Sequence, residues 1–107
     1  MKIQITARHF HASPQLHASL KDNLAQIEKF NDSITSAHII LDAERTGDRR
    51  AEIIVKILDK TVCAHAEEDN MHKAIEFMFD KVERQLIKEK EKLKDHKSIP
   101  ISELVSE

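Results

Sequence analysis

Apolar and polar residues alternate in four stretches of the chain, which is the pattern of strands that bury one face. In the first stretch, Ile3, Ile5 and Ala7 form the apolar side. The connections between the last three stretches are too short for a crossover, and Gly47-Asp48 is a hairpin signal, so we predict an antiparallel meander. The four predicted strands are 2–8, 34–44, 51–58 and 61–67.

Two further stretches repeat apolar residues every three or four positions, as amphipathic helices do. The first, 14–30, opens with Ser13-Pro14, a capping residue followed by a proline at the first helical position. The second starts at Met71, where Asp69-Asn70 offers a cap, and continues to about Lys94 without Gly or Pro.

The predicted order is therefore β-α-β-β-β-α, an α+β fold in which one four-stranded sheet carries both helices on one face. A crossover through the first helix makes strands one and two parallel. We assign 1–95 to this two-layer domain and 96–107, with its serines, proline and acids, to a flexible C-terminal tail. The other sheet face is left open and carries Gln4, Thr6, Arg8, His38, Ile40, Asp42, Lys56, Cys63 and His65.

Composition narrows the class of protein. The 107 residues are 40% apolar and 34% charged with a net charge of −2, which excludes general disorder and a bulk polycation. No apolar run approaches the length of a membrane span, and no apolar leader opens the chain. The single cysteine, Cys63, fits a reducing cytoplasm. We expect a cytoplasmic protein with no membrane partner.

The second helix separates its side chains into three sectors. At about 100° per residue, and with Lys73 at zero, the apolar residues fall between about 140° and 240°. Three acids, Glu76, Asp80 and Glu83, fall together between about 280° and 340°. The cations between about 0° and 100° are Lys73, Lys81, Arg84, Lys88 and Lys92. Such a ridge matches a run of phosphates along a nucleic acid.

A charged helix face is more often simply solvated, and neighbouring acids weaken the field of the cations. Two details favour phosphate binding over solvation. The acids are mostly gathered on their own sector, and Phe77 falls at about 40°, among the cations. An aromatic ring there suits stacking on a base or a sugar, although it could equally cover a neighbouring loop.

Two groups of residues suggest other chemistry. His9, His11 and His17 could form a metal site, but no cysteine or paired carboxylate joins them in sequence, which favours a structural or surface role. Cys63 and His65 share a strand face, yet no acid is evident to orient the histidine except Asp42. The single glycine excludes a glycine-rich phosphate loop. We therefore expect no enzyme, no metal, no cofactor and no small-molecule substrate.

Motifs along the chain bear on its family. The segment DKVERQLIKEKEKLKDH at 80–96 resembles the end of the second helix in the bacterial ribosome hibernation promoting factor and ribosome-associated inhibitor family, also called the sigma-54 modulation protein family. The opening IQITARHF, SAHIIL at 36–41 and AHAEEDNM at 64–71 agree with this, in the same order. The resemblance covers residues 2–96.

The resemblance implies a fold similar to double-stranded RNA-binding domains. It implies binding to 16S rRNA in the tRNA and mRNA channel of the small ribosomal subunit. A protein bound there would block initiation by occlusion and store ribosomes inactive under stress or in stationary phase. It would be a monomer off the ribosome. The residues alone leave two alternatives open: a general structured-RNA-binding module, or a protein-interaction domain that uses the open sheet face.

The resemblance also implies which residues contact rRNA. The cations that match the family pattern are Arg8, Lys29, Lys81, Arg84, Lys88, Lys90 and Lys92. Lys73, Phe77 and His17 are further candidates. The first helix departs from the pattern, because His17, Asn23 and Gln26 stand where the family often has Arg or Lys. Protonation of His17 could make that contact depend on pH.

Overall fold

The computed structural model describes residues 1–31, 33–43, 47–58 and 60–98, and side chains as far as Glu89 with the exception of Phe30. Six elements follow one another in the predicted order β-α-β-β-β-α. They are β1 (Lys2–Arg8), α1 (Pro14–Phe30), β2 (Ile34–Ala43), β3 (Arg49–Ile57), β4 (Lys60–Glu68) and α2 (Met71–Ser98).

The four strands form one sheet in the order β1-β2-β3-β4. The β1 and β2 strands are parallel, and α1 makes the crossover between them. The β2, β3 and β4 strands are antiparallel neighbours, which confirms the predicted meander. Gly47 precedes β3 with φ 95°, a left-handed conformation that glycine adopts without steric cost.

One face of this sheet and the apolar sides of both helices make a single core. Every second residue is buried over 37–41 of β2, 51–57 of β3 and 62–66 of β4, as the period of a pleated strand requires. The alternate residues form the predicted open face and are half-buried or exposed. The largest fully buried side chains are Leu20, Leu24, Ile27, Ile39, Leu41, Ile53, Met78, Leu86, Val55 and Val82.

Side-chain caps start both helices where the sequence predicts them. The Ser13 hydroxyl accepts a hydrogen bond from the Leu16 amide at 3.1 Å. The Asn70 carboxamide oxygen accepts from the His72 amide at 2.7 Å. Each cap satisfies an amide that has no partner inside the first turn, which is typically worth about 1 kcal/mol.

The α2 helix is longer than the sequence pattern indicates. It ends at Ser98 and not near Lys94, so the first residues of the predicted tail are helical. The rest of the predicted tail, 99–107, lies outside the described residues. Neither of the two helices, as far as they are described, is long and apolar enough to cross a membrane.

The α2 helix also covers the free edge of β4. The Lys81 ammonium donates a hydrogen bond to the His65 carbonyl at 2.9 Å, and the Gln85 amide donates to the Cys63 carbonyl at 2.9 Å. An edge strand with unpaired carbonyls is a template for pairing with another chain. These two side chains occupy that edge, a role that the helical wheel did not predict.

Leu86 tests the dependence of the fold on the buried side of α2. It is fully buried, whereas its neighbour Ile87 is 38% exposed. We expect Leu86→Ala to lower the free energy of unfolding by about 2–5 kcal/mol, because it removes apolar contacts and leaves a cavity. The matched variant Ile87→Ala should cost less than about 1 kcal/mol. Urea denaturation followed by circular dichroism measures both, and equal losses would contradict the assigned rotation of α2.

Candidate nucleic-acid interface

The cations of α2 lie on the side of the helix that faces away from the sheet and toward the free edge of β4. We call Lys73, Lys81, Arg84 and Lys88 the basic sector; all four are exposed. Between the first and last of them α2 rises about 22 Å at 1.5 Å per residue. Lys90 and Lys92 belong to the same helix, but their side chains lie outside the described ones. The structure therefore brings together the described cations of the predicted α2 ridge.

Two of these cations make ion pairs with a carboxylate four residues earlier in the chain. The Arg84 guanidinium lies 3.2 Å from the Asp80 carboxylate, and the Lys73 ammonium lies 4.0 Å from that of Asp69. All four side chains are more than half exposed, and ion pairs in such positions are typically worth at most about 1 kcal/mol. Lys88 makes no ion pair with a side chain that the structure describes. A phosphate can replace these partners at little cost.

Lys81 is held differently from the other cations. Its hydrogen bond to the His65 carbonyl fixes the ammonium at the edge of β4. Near the same edge, the Lys60 ammonium of β4 lies 2.9 Å from the Glu89 carboxylate of α2. The basic sector thus meets the sheet on the β4 side, and Lys81 has both a structural contact and an exposed charge.

Three acids of α2 lie on the side of the helix that faces α1. Glu76, Asp80 and Glu83 line a groove of about 470 Å³ between the two helices. Its remaining lining residues are Leu16, Ser19, Asn23, His72, Ile75 and Phe79. Burial raises the pKa of Glu83, and the nearby charge of Asp80 raises it further. The helical wheel predicts the acidic sector but not its opposite wall, which α1 supplies. Phosphate is repelled from this groove.

The other predicted contacts lie apart from the basic sector. Arg8 is on the open sheet face, where Asp42 is its neighbour on β2, and β1 is the edge strand farthest from β4. Lys29 is exposed in the last turn of α1. His17, in the first turns of α1, is half-buried. Both helices begin at the same end of the sheet, so Lys29 and Lys88 lie toward one end and His17 toward the other.

In the part of the chain that the structure describes, the neighbours of the histidines and of Cys63 do not form a metal site or a catalytic site. The His9 ring nitrogen Nδ1 lies 2.7 Å from the Asp42 carboxylate, with the His9 backbone at φ 65°. Asp42 is on β2, and β3 separates it from Cys63 and His65 on β4. In the described ranges, no three His, Cys, Asp or Glu side chains are grouped so that they could hold a metal ion.

The domain is a two-layer α+β sandwich with exposed cations along α2. A family model described as sigma 54 modulation protein / S30EA ribosomal protein matches residues 3–94. The chain belongs to this family. Family membership makes it a binding protein and not an enzyme.

Individual relatives agree with the family match. A ribosome hibernation promoting factor of Pseudomonas putida is 33% identical over 92 residues, which are 86% of this chain and 89% of that protein. A ribosomal subunit interface protein from Coxiella burnetii has a similar solved structure, with a TM-score of 0.77 and 32% identity over 84% of this chain and 98% of that one. The Thermus thermophilus Protein Y N-terminal domain shares the fold, with a TM-score of 0.74 and 22% identity over 82% and 98%.

Glu83 gives a test of the acidic groove by pH. Because its folded-state pKa is raised above the ordinary value of 4.5, ionisation of Glu83 costs folding free energy at neutral pH. We expect Glu83→Gln to raise the melting temperature near neutral pH. The gain should shrink as pH falls through the raised pKa and vanish below about 4.5, where the carboxyl is protonated in both states.

The control is Glu76→Gln, which removes a more exposed carboxylate of the same groove. Thermal unfolding across pH for both variants separates the local effect from a general loss of negative charge. An equal rise in melting temperature for Glu76→Gln would contradict the account, because the effect would then come from the loss of any negative charge and not from the burial of Glu83.

Proposed function

We propose that this chain binds the small ribosomal subunit, occupies the channel of tRNA and mRNA, and stores ribosomes inactive under stress or in stationary phase. The observation that carries the proposal is the basic sector of α2, on a domain whose relatives include proteins named ribosome hibernation promoting factor. The similar Coxiella burnetii protein, named a ribosomal subunit interface protein, supports the same partner. Ribosome binding also implies action in the cytoplasm.

In this proposal the cations of α2 hold successive phosphates of 16S rRNA. Lys73, Arg84 and Lys88 are exposed. To bind phosphate, Lys73 and Arg84 each break one ion pair with a carboxylate, and such exposed pairs are weak in water. Release of counterions from the rRNA then supplies much of the binding free energy, as it does for other cationic surfaces on nucleic acids. The mechanism is occlusion: a domain in the channel excludes tRNA and mRNA, and no bond is made or broken.

The open sheet face is a poor alternative surface for RNA. Across its strands the register joins Arg8 to Asp42, Asp42 to Arg50, and Arg50 to Glu67. Positive and negative side chains therefore alternate along this row and cancel at the distance of a phosphate backbone. Charge favours the helical layer, on its β4 side, as the surface that faces rRNA.

The basic sector is tested by neutralising two cations that are free of the sheet edge. We expect Arg84→Gln with Lys88→Gln to weaken binding to small subunits about tenfold or more near physiological salt. The slope of log affinity against log salt should fall by about one for each phosphate that is no longer contacted. Arg84 is 78% exposed, so the melting temperature should hardly change. Pelleting with small subunits through a sucrose cushion, over a salt series, measures both the affinity and the slope.

The matched control is Lys2→Gln with Lys56→Gln, which removes the same charge from the open face, where Ser36 of β2 is the neighbour of both residues. This variant should pellet like the wild type. If both variants lost the same affinity for small subunits, net charge and not the basic sector would explain the effect. Wild-type affinity in the variant of Arg84 and Lys88 would contradict the proposal. A second experiment measures binding of the wild-type protein to duplex RNA alone. An affinity similar to that for small subunits would favour a general RNA-binding module.

A further inference from the structure

Phe77 is an aromatic side chain that the core does not use. It is 47% exposed, whereas Phe79, two residues further along α2, is buried. Phe10 is half-buried and packs against the core cluster, and Phe77 does not belong to that set. The exposed part of the ring leaves apolar surface in water, where it adds nothing to the stability of the fold.

Cations lie on both sides of Phe77 along the helix, and one carboxylate, that of Asp80, lies three residues after it. Lys73 lies one turn before it, Lys81 one turn after it, and Arg84 about two turns after it on the same side. The charged groups of these cations contact other partners: Lys73 contacts Asp69, Lys81 contacts the His65 carbonyl, and Arg84 contacts Asp80. The ring of Phe77 therefore lies between cations, and the described contacts of their charged ends are made with other groups.

Other exposed apolar residues do not extend this surface. Ile87 falls at about 320° on the wheel, on the acidic side of α2. Leu58 is 72% exposed but follows β3 in a turn at the sheet. Met1 and Ile3 are also exposed, and they lie at β1, the edge of the sheet farthest from β4. Because these residues lie apart from Phe77, it is not part of an apolar patch of the size that binds a protein.

We infer that Phe77 is a stacking platform for an unpaired base of the RNA whose phosphates the basic sector holds. This inference rests on the proposed function and specifies its partner further. A base inside a duplex already has both faces stacked, so an aromatic side chain can engage only a base that is bulged, looped or at a strand end. The surface then selects RNA in which an unpaired nucleotide adjoins a run of phosphates, and not a uniform duplex.

The chain offers a clean reporter for this contact, because it contains no Trp and no Tyr. Phe77→Trp places the only indole of the protein at the proposed platform, and Ile87→Trp places it at an exposed apolar position outside the basic sector. The probes are an RNA hairpin with one unpaired adenosine in its stem and the same hairpin fully paired. We expect the bulged hairpin to quench the indole fluorescence of the Phe77→Trp variant and to leave that of the Ile87→Trp variant unchanged. Equal quenching in both variants, or none, would overturn the inference.

Affinity gives an independent test. Phe77→Ala should weaken binding to the bulged hairpin and to small subunits by roughly 5- to 150-fold, the range found when a stacked aromatic is removed. The salt slope should stay at the wild-type value, since every phosphate contact remains. Phe77→Leu should show a similar loss of affinity, because an aliphatic side chain cannot stack. Wild-type affinity in either variant would overturn the inference.

The two proposals fail in different ways. If Phe77→Ala binds small subunits normally while Arg84→Gln with Lys88→Gln does not, the result supports RNA binding by the basic sector. It contradicts the inference that Phe77 stacks on a base. If the wild type does not bind small subunits, the proposed function is wrong. In that case the difference in fluorescence quenching between the bulged and the fully paired hairpin still tests whether Phe77 is a stacking platform. A protein that binds neither hairpin would overturn that inference.

Discussion

The structure depends on one constraint: a single apolar sheet face must be covered by two helices at once. The apolar side of α2 packs on the sheet through residues such as Met78, Val82 and Leu86, and this contact fixes the rotation of the helix about its axis. Once the rotation is fixed, the positions of the charges are fixed with it. The basic sector lies toward solvent and the edge of β4, and Glu76, Asp80 and Glu83 lie toward α1.

This separation of charge gives the domain two sides with different affinity for phosphate, although its net charge is close to zero. On one side, exposed cations follow α2, and the ion pairs of Lys73 with Asp69 and of Arg84 with Asp80 are weak. On the other, three carboxylates share a groove in which burial and Asp80 raise the pKa of Glu83. A nearly neutral protein can thus bind a polyanion in one orientation, because it is the local field that a nucleic acid meets.

Much of this arrangement could be predicted from the sequence, because local patterns determine it. Strand alternation, the Ser13-Pro14 start and the wheel of α2 indicated the element order, the open face and the three sectors. The features that were missed depend on neighbours distant in sequence: the hydrogen bonds of Lys81 and Gln85 to the edge of β4, and the α1 wall of the acidic groove. A wheel gives the direction of a side chain but not what stands opposite it. Arg8 lies on the open sheet face, as strand alternation predicted, and therefore apart from the basic sector.

The central claim is that the helical layer, on its β4 side, faces ribosomal RNA. A cryo-electron microscopy structure of the protein bound to bacterial small subunits tests it most directly. We expect density for the domain in the channel of tRNA and mRNA, with Arg84 and Lys88 against rRNA phosphates and the open sheet face turned away from them. A domain bound through the open sheet face, or bound outside that channel with α2 in solvent, would contradict the claim.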